Sequence, residues 1–491
     1  MGFKTSLQIE SLAARAHDVL KLIPSLRNLL RPVNRLPPEI LSCIARCSLD
    51  ENSVDVKSII PFTHVCRYWR ESIISTPGNW TLISNERIGL TLLSLERCKA
   101  APLELSINML QVRRNPGFSV IITPYIQNIE TLYIDSVSPN ELAQALPTPL
   151  RPMPNLRSLS ISGNPGWDWS IDPFGPLTSL TPALTHLSVR HAPLCPSFLH
   201  LRALTDLILH NYNLDLHLDT LLDFLEEKRS LERITLRIQF KEPSLRDSMR
   251  RVAILNQLRR LSIYSIDAMD SKALISSVAL PRGAHLEIIL YDRNVGANAV
   301  LSLVSMAHLS NLQSPTHMEY NSDESTIQLL GPNGSFSFTN CCGLGDPFAE
   351  LPLPSLTNIR TFCFTGRGLG VWKSFDDPIV FPPSSLPALA TFSIKCEVTV
   401  SHLFSALFSD PSSSPSLGVL AFLNCNLGED FMDALTRFAS DRKRTTSAWL
   451  HRVVIVSSEG KFPRVASICG LEKHVSAVDV WAGEKLPTDL I

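Results

Sequence analysis

One apolar pattern recurs along most of this chain and restricts the possible fold more than any other feature. The pattern is apolar-x-x-apolar-x-apolar. A clear copy is formed by Leu156, Leu159 and Ile161, and the next begins at Leu184. Because alternate side chains of a strand point to opposite faces, the last two apolar residues of each copy are expected to point inward from a short strand. A unit of this size cannot bury its own apolar face, so neighbouring units must stack.

The copies continue nearly to the end of the 491-residue chain. After a weak first copy at Ala100, they begin at Ile129, Leu156, Leu184, Leu204, Leu231, Leu258, Leu286, Ile359, Leu389, Leu417, Leu450 and Val475. Several successive starting positions are about 27 or 28 residues apart, which is a period typical of leucine-rich repeats. The pattern predicts an α/β fold in which irregular leucine-rich repeats form a solenoid over residues 100–485. Its curved parallel sheet would lie inside and its helices outside.

Two segments interrupt the repeats, near residues 163–182 and 313–356. In the later one, a Gly-Pro-Asn-Gly segment at 331–334 predicts the turn of a β-hairpin. The earlier one carries Trp167 and Trp169, which we interpret as folding back onto their own domain rather than as a binding site. Between strands, one predicted helix has i, i+3, i+4, i+7 spacing at Leu218, Leu221, Leu222 and Leu225.

A different set of motifs precedes the repeats. Residues 36–41 read Leu-Pro-Pro-Glu-Ile-Leu, residues 65–70 read Val-Cys-Arg-Tyr-Trp-Arg, and residues 77–80 read Pro-Gly-Asn-Trp. Proline suits the first turn of a helix, where the N–H groups have no intrahelical acceptor. Two short apolar helix faces cannot form a core alone in so few residues. Part of this surface is therefore predicted to contact another protein.

These three elements, in this order, resemble the F-box family over residues 34–83. The segment between Cys47 and Ile60 is longer and more polar than in a minimal F-box, and Pro61 interrupts the second helix. The lengthened loop resembles that of F-box proteins abundant in mushroom-forming fungi. The resemblance implies docking on the Skp-type adaptor of a cullin–RING (SCF) ubiquitin ligase. Carried over by position, the residues that would face the adaptor or support that face are Leu36, Pro37, Pro38, Ile40, Leu41, Ile44, Val65, Cys66 and Trp69. The alternative is a helical fragment buried against the rest of the chain.

The segment before this region, residues 1–33, has apolar residues spaced by three and four. They are Ile9, Leu12, Ala16, Val19, Ile23, Leu26 and Leu30. The spacing resembles the seam of a coiled coil, although Pro24 should kink or end a continuous helix there. Two interpretations stay open: a helix that packs on the F-box-like region or the first repeats, and a dimerising coiled coil.

The strand residues between the inward apolar ones should face the concave surface of the sheet, where a substrate would bind. Arg and His outnumber acids there in four consecutive copies. If the strands stack in register, we expect a local basic strip that reads an acidic or phosphorylated protein segment, because Arg forks bind phosphate and carboxylate. A merely solvated polar face is the alternative. The candidate substrate-binding residues are Arg190, His210, Arg233, Arg237, Arg260 and Tyr264.

Composition and motifs favour a non-catalytic protein. Lys and Arg number 45 against 46 Asp and Glu, so net charge provides no argument for nucleic acid or an anionic membrane. Hydrolase, nucleotide-binding and metalloprotease motifs are absent, the histidines are dispersed, and no cofactor or metal is expected. The 11 cysteines show no metal spacing, which indicates reduced thiols in the cytoplasm or nucleus. The run Arg442-Lys443-Arg444 is interpreted as solvated surface.

The resulting hypothesis is a substrate-recognition subunit of a ubiquitin ligase, in which the F-box-like region binds the adaptor and the repeats bind the target. A second hypothesis is a repeat scaffold that acts outside ubiquitination, with the helical region pairing with the adaptor there or merely capping the repeats. A hydrolase hidden in the insertions is a third.

Overall fold

The computed structural model describes residues 11–17, 19–20, 23, 30–48, 56–112, 114–115, 117–137, 152–163, 181–191, 196–240, 252–265, 268–291, 314–321, 326–340, 357–366, 386–396, 414–425, 427–445, 449–457 and 462–482. Trp167 and Trp169 lie outside these residues. The chain divides into two compact units, Met1–Leu204 and Thr205–Ile491.

The first unit contains a helical module, residues 31–81, which corresponds to the F-box-like segment. Its elements are the 3-10 helix Pro32–Arg35, helix α1 (Pro38–Cys47), the 3-10 helix Val56–His64, helix α2 (Arg67–Ser75) and the 3-10 helix Pro77–Trp80. Pro38 occupies the first position of α1, where its missing N–H removes no helical bond. Pro61 lies inside the middle helix, which is 3-10 rather than α. This 3-10 helix continues on both sides of Pro61, so the interruption expected at this proline is not present; the proline is accommodated within the helix.

The module has a core of its own. Its buried apolar residues include Leu41, Ala45, Ile59, Trp69, Ile73 and Trp80. The indole N–H of Trp80 donates to the carbonyl oxygen of Ile73 at 3.0 Å. The buried Asn79 donates its amide to the same carbonyl at 3.2 Å and accepts the hydroxyl proton of Ser42 at 2.5 Å. These hydrogen bonds offset the cost of burying the polar groups. The core of the module is therefore satisfied without a contribution from another protein.

The module leads directly into the sheet through a short strand that sequence analysis did not predict. Strand β1 (Leu82–Ser84) pairs in parallel with β2 (Leu103–Asn108), and helix α3 (Ile88–Cys98) connects them. Asn85 is fully buried at this junction. Its amide donates to the carbonyl oxygen of Asn108 at 2.8 Å, and its oxygen accepts the Asn108 N–H at 3.0 Å.

The rest of the first unit is a parallel sheet. Strand β2 is followed by β3 (Ile129–Val137), β4 (Ser158–Gly163) and β5 (His186–Arg190), each paired with the next. Helices α4 (Met109–Val112) and α5 (Phe118–Ile122) and the 3-10 helices Thr123–Asn128 and Pro196–His200 lie in the connections. The predicted inward residues are buried, namely Leu103, Leu105, Leu132, Ile134, Leu159, Ile161, Leu187 and Val189.

The second unit continues the repeat architecture. Four parallel strands pair in the order β6 (Asp206–Leu216), β7 (Arg233–Phe240), β9 (Arg260–Ser265) and β11 (His285–Leu290). The connections contain α6 (Leu218–Glu227), α7 (Ala268–Ser276) and a separate two-stranded ladder of β8 (Ala253–Ile254) and β10 (Val278–Ala279). Three of the four leucines predicted to share a helix face are buried in α6, namely Leu221, Leu222 and Leu225.

Strand β11 corrects one predicted copy. The pattern starting at Leu286 predicted that Ile289 and Tyr291 point inward. In the structure Ile288 and Leu290 are buried, Ile289 is half-buried, and Tyr291 is exposed. Three consecutive apolar residues leave the alternation ambiguous in sequence. Pairing of Leu286 with Leu261 of β9 then fixes which of them faces the core.

The later insertion forms the predicted hairpin and keeps it within the sheet. Strands β13 (Thr326–Gly331) and β14 (Gly334–Asn340) are antiparallel, with Gly331 opposite Gly334. Strand β14 pairs in parallel with β11, while β13 pairs antiparallel with β12 (His317–Asn321). Gly334 has φ of 140°, a conformation that favours glycine at the turn.

The unit ends with a further parallel stretch that starts from β12. Its strands are β15 (Thr361–Gly366), β16 (Thr391–Cys396), β17 (Val419–Leu423), β18 (Arg452–Ser457) and β19 (Ala477–Ala482). Helix α8 (Glu429–Thr445) follows β17, and α9 (Val465–Glu472) follows β18. The ring of Phe431 in α8 meets that of Phe422 edge to face at 5.4 Å, so this helix packs on the inward face. The fold is therefore α/β, with a helical module followed along the chain by leucine-rich repeats of the solenoid type.

Two features of these last repeats differ from the expected pattern. On β17 and β18 the face opposite the inward residues is also apolar and buried, through Ala421, Leu423, Val454 and Val456. On β19 the predicted inward residues are less covered: Val478 is half-buried and Val480 exposed. Among the described strands β19 pairs only with β18, so it has less cover than an interior strand.

The charge run at the end of α8 is only partly solvated, contrary to the sequence interpretation. Lys443 and Arg444 are exposed, but Arg442 is fully buried. Its guanidinium donates to the carbonyl oxygens of Ser414 and Leu417, each at 2.9 Å. Burial lowers the pKa of Arg442. This arginine therefore joins α8 to the turn before β17.

The described part of the N-terminal segment is helical at residues 11–17. Of its predicted apolar seam, Leu12, Ala16, Val19, Ile23 and Leu30 are exposed, whereas Ile9 and Leu26 lie outside the described residues. The exposed seam does not fit packing of these residues on the helical module or on the first repeats. The coiled-coil interpretation stays a prediction.

Candidate functional sites

The helical module exposes a row of apolar residues along one side of α1. Ile40 is 46% exposed and Ile44 is 39% exposed, one helical turn apart. Pro37 and Pro38 are exposed at the start of the helix, and Val65 is 56% exposed at the turn before α2. We call these five residues the docking face. Covering partly exposed apolar side chains with a partner protein is favourable, because it removes apolar surface from water.

The other residues predicted to contact or support an adaptor are less exposed. Leu41 is completely buried and Trp69 is 6% exposed, while Leu36 and Cys66 are half-buried. Leu41 follows Ile40 in α1 but lies about 100° further round the helix, where it is buried in the module core. The structure therefore separates the nine predicted residues into an exposed group and a group beneath it.

Trp69 is held in place by contacts inside the module. Its indole N–H donates to the side-chain oxygen of Asn34 at 2.7 Å, and its ring stacks on Phe62 with centroids 5.9 Å apart. The hydroxyl of the neighbouring Tyr68 donates to the carbonyl oxygen of Leu36 at 2.8 Å. These bonds tie α2 to the segment that enters α1, so Trp69 positions the docking face without belonging to it.

Two cysteines share the exposed side of α1. Cys43 and Cys47 are both exposed free thiols at positions i and i+4. A hydrogen bond with Cys43 raises the pKa of the Cys47 thiol. Sequence analysis interpreted the cysteines as reduced thiols and did not single out this pair. The sequence signal that could have indicated this pair is its i, i+4 spacing on α1, which is the spacing of Ile40 and Ile44.

The polar face of the sheet in the first unit is rich in hydroxyl groups. Strand β4 contributes Ser158, Ser160 and Ser162, which lie in register with Thr131, Tyr133 and Asp135 of β3. Arg190 is exposed at the end of β5, next to Ser162 in the ladder. Burial, with a contribution from the carboxylate of Glu104, raises the pKa of Tyr133. Arg190 thus lies on a mostly neutral surface.

In the second unit, the other five candidate residues lie on one face of β6, β7 and β9. In the register of the parallel strands, Arg233 of β7 lies beside Arg260 of β9. Arg237 of β7 lies between His210 of β6 and Tyr264 of β9. The register that sequence analysis assumed is therefore present within this unit.

Acidic residues on the same face neutralise two of the arginines. Asp206 accepts a hydrogen bond from Arg233. Glu287 accepts one from Arg260 at 2.8 Å and another from Ser262 at 2.6 Å. Burial raises the pKa of Glu287, but these bonds and the charge of Arg260 outweigh it and leave the pKa below the ordinary value. This part of the face is therefore less basic than the sequence predicted.

Arg237 has a different environment. Its guanidinium carbon lies 4.5 Å from the centroid of the Tyr264 ring, a cation–π arrangement. Its Nε–H is buried and has no hydrogen-bond partner in the part of the chain that the structure describes. Arg237 makes no ion pair with any described residue. Among the three arginines of this face it is the one whose charge is left for a ligand.

Other kinds of site find no support among the described residues. That part of the chain has no cluster of three or more His, Cys, Asp or Glu side chains able to hold a metal ion. None of its helices combines the length and apolar character needed to span a bilayer.

Comparison with known proteins gives remote likenesses only. No protein-family model matches the chain, and no curated protein matches it. Among solved structures, the Leptospira interrogans LRR protein LIC12759 has 14% identity and a TM-score of 0.29, over 80% of this chain and 88% of that one. A chain of the yeast Rad7 and Elc1 complex has 16% identity and a TM-score of 0.27, over 78% of this chain and 93% of that one. At these TM-scores neither likeness carries an argument about function.

Proposed function

We propose that this protein is a substrate-recognition subunit of an SCF-type ubiquitin ligase. The docking face of the helical module would bind the Skp-type adaptor, and the polar face of the repeat strands would bind the target protein. The chain itself would be non-catalytic. Its contribution would be to raise the local concentration of the target beside the ubiquitin-charged enzyme.

The observation that carries the proposal is the exposure of Ile40, Ile44 and Val65 on a module whose core is complete without them. A fragment that served only to cap the repeats would be expected to turn its branched apolar residues towards the chain. The F-box-like motifs supply the chemistry of the expected partner, since the exposed residues coincide with positions that would contact the adaptor in that family.

The direct test is co-expression with a Skp-type adaptor followed by purification of the complex. Val65→Asp should abolish co-purification, because a carboxylate at a site that the adaptor desolvates costs several kcal/mol. Val120→Asp is the matched control, since Val120 is 75% exposed on α5, outside the module. Equal recovery of adaptor with Val65→Asp and with the parent protein would contradict the proposal.

Trp69 is a poor choice for this test. Because Trp69 lies in the core of the module, its replacement would disturb folding whether or not an adaptor binds there. Loss of adaptor binding in such a variant would not separate the two explanations.

The second candidate function is a repeat scaffold that pairs with the adaptor outside ubiquitination. Reconstitution with adaptor, cullin, RING protein and charged conjugating enzyme distinguishes the two. Ubiquitin transfer to a bound protein supports the ligase assignment. Stable assembly with the adaptor but no transfer to any bound protein supports the scaffold.

A further inference from the structure

The Arg237 guanidinium, whose Nε–H has no acceptor among the described residues, is the strongest unexplained feature of the sheet. It lies at the centre of a row formed by four neighbouring strands, His210, Arg237, Tyr264 and Ile289. A buried N–H without an acceptor costs free energy, and such a group in a folded protein calls for an explanation. Arg237 as a whole is only half-buried, so an oxyanion on the polar face of the sheet could approach its guanidinium and compensate its charge.

The tyrosine ring prepares Arg237 for this role. Stacking on Tyr264 fixes the plane of the guanidinium, so little side-chain entropy remains to be lost when its edge binds a carboxylate or phosphate. The ring also covers one face of the cation, which limits binding to the edge. Planar, edge-on binding by two parallel hydrogen bonds is the geometry that arginine forms with both of these anions.

The neighbouring charges limit the ligand to one anionic group. Arg233 and Arg260 are engaged by Asp206 and Glu287. Burial and the charge of Arg260 lower the pKa of His285, which keeps this histidine neutral near pH 7. The face therefore offers one uncompensated arginine charge, whereas a polyanion such as nucleic acid is bound by several.

The surroundings of the row also favour a partner with an apolar side chain. Ile208 on β6 is 36% exposed, and Ile289 on β11 is half-buried at the other end of the row. Both point to the same face as Arg237. Covering these partly exposed isoleucine side chains with an apolar side chain of a ligand would be favourable, because it removes apolar surface from water.

We propose that Arg237 and Tyr264 form a subsite for a single oxyanion of a protein segment, a carboxylate or a phosphate, next to an apolar residue that contacts Ile208 or Ile289. This inference rests on the proposed function in one respect, because the segment would belong to the target protein.

The test uses the full chain and fluorescently labelled nonapeptides with leucine on both sides of a central residue. The central residue is phosphoserine or glutamate, or its neutral counterpart serine or glutamine. We expect at least one anionic peptide to bind tenfold or more tightly than its neutral counterpart. The phosphorylated and glutamate peptides show which source of the oxyanion is preferred.

Three variants separate charge from folding. Arg237→Gln should remove the tenfold preference, and Arg237→Lys should weaken it because a lysine cannot stack and bind by a planar edge. Arg259→Gln is the matched control: Arg259 is exposed in the turn before β9 and should leave the preference intact. Thermal unfolding of each variant verifies that it is folded.

The inference is overturned if no peptide discriminates by charge, or if folded Arg237→Gln retains the preference. It is also overturned if a single-stranded oligonucleotide binds more tightly than every peptide. Adaptor co-purification measured on the same samples keeps the two proposals apart. A protein that discriminates the peptides without binding the adaptor refutes the ligase assignment only, and the reverse result refutes this subsite only.

Discussion

Replacing Ile40 and Ile44 together by alanine should weaken adaptor binding without weakening the fold. The two side chains are 46% and 39% exposed, so an adaptor that covers them buries rather less than half of each. Full burial of an isoleucine side chain is worth about 1.5–3 kcal/mol. Alanine keeps one of the four side-chain carbons, so the pair should lose about 1–2 kcal/mol of binding free energy, roughly five- to thirtyfold in Kd.

The assay is isothermal calorimetry or biolayer interferometry with purified adaptor, alongside thermal unfolding of the free protein. Alanine has the highest helix propensity, and both positions face water in the free chain. Tm should therefore stay close to that of the parent protein. Leu41→Ala is the matched control within α1: this side chain is completely buried, and its truncation should cost about 2–5 kcal/mol of stability.

Two results would refute the reasoning. The first is unchanged adaptor affinity in the folded double variant, which would mean that the adaptor does not cover this side of α1. The second is a comparable loss of affinity in Val120→Ala, whose exposed valine lies outside the module, because the effect would then not be specific to the docking face.

Three further perturbations test other parts of the structure. Trp69→Phe keeps an aromatic ring in the core but loses the hydrogen bond to Asn34, so the free energy of unfolding should fall by about 1–2 kcal/mol in a denaturant titration. N-ethylmaleimide should modify Cys43 and Cys47 in the free protein and block adaptor binding. A Cys43→Ser/Cys47→Ser variant should still bind the adaptor after the same treatment, although the exposed Cys469 reacts in both proteins; mass spectrometry identifies the modified thiols. Arg442→Met should lower the free energy of unfolding by about 3 kcal/mol, because buried carbonyl oxygens lose a charged donor; Arg444→Met, at an exposed position of the same helix, is its control.

Much of the fold follows from period and spacing. The inward residues of β3, β4, β5, β7, β9 and β15 to β18 could be predicted because one buried pair recurs every repeat, and stacking requires each pair to meet the next. The prediction is wrong at β11, where Ile288, Ile289 and Leu290 are all apolar and alternation has no contrast. It missed β1, whose three residues contain no repeat and are placed by their pairing with residues 104–106 of β2.

The candidate sites were less predictable, because charge balance depends on partners one repeat away. Sequence analysis counted arginines on the polar face but did not pair them with acids. Asp206 and Arg233 occupy equivalent positions of neighbouring repeats, so the ion pair could have been derived from the register. The burial of Arg442 could not, because its acceptors precede β17 and nothing in the local charge run indicates them.

Both candidate surfaces share a physical property that bears on how such a protein can change partners. On α1 the exposed Ile40 and Ile44 are each followed by a buried residue, Leu41 and Ala45. On β7 the half-exposed Arg237 follows the buried Leu236. In the strand, consecutive side chains point to opposite faces; in the helix they differ by about 100°, which still places a contact residue beside a packing residue. Substitutions at the contact positions can therefore alter binding while the buried core stays intact, and destabilising substitutions should concentrate at the buried positions.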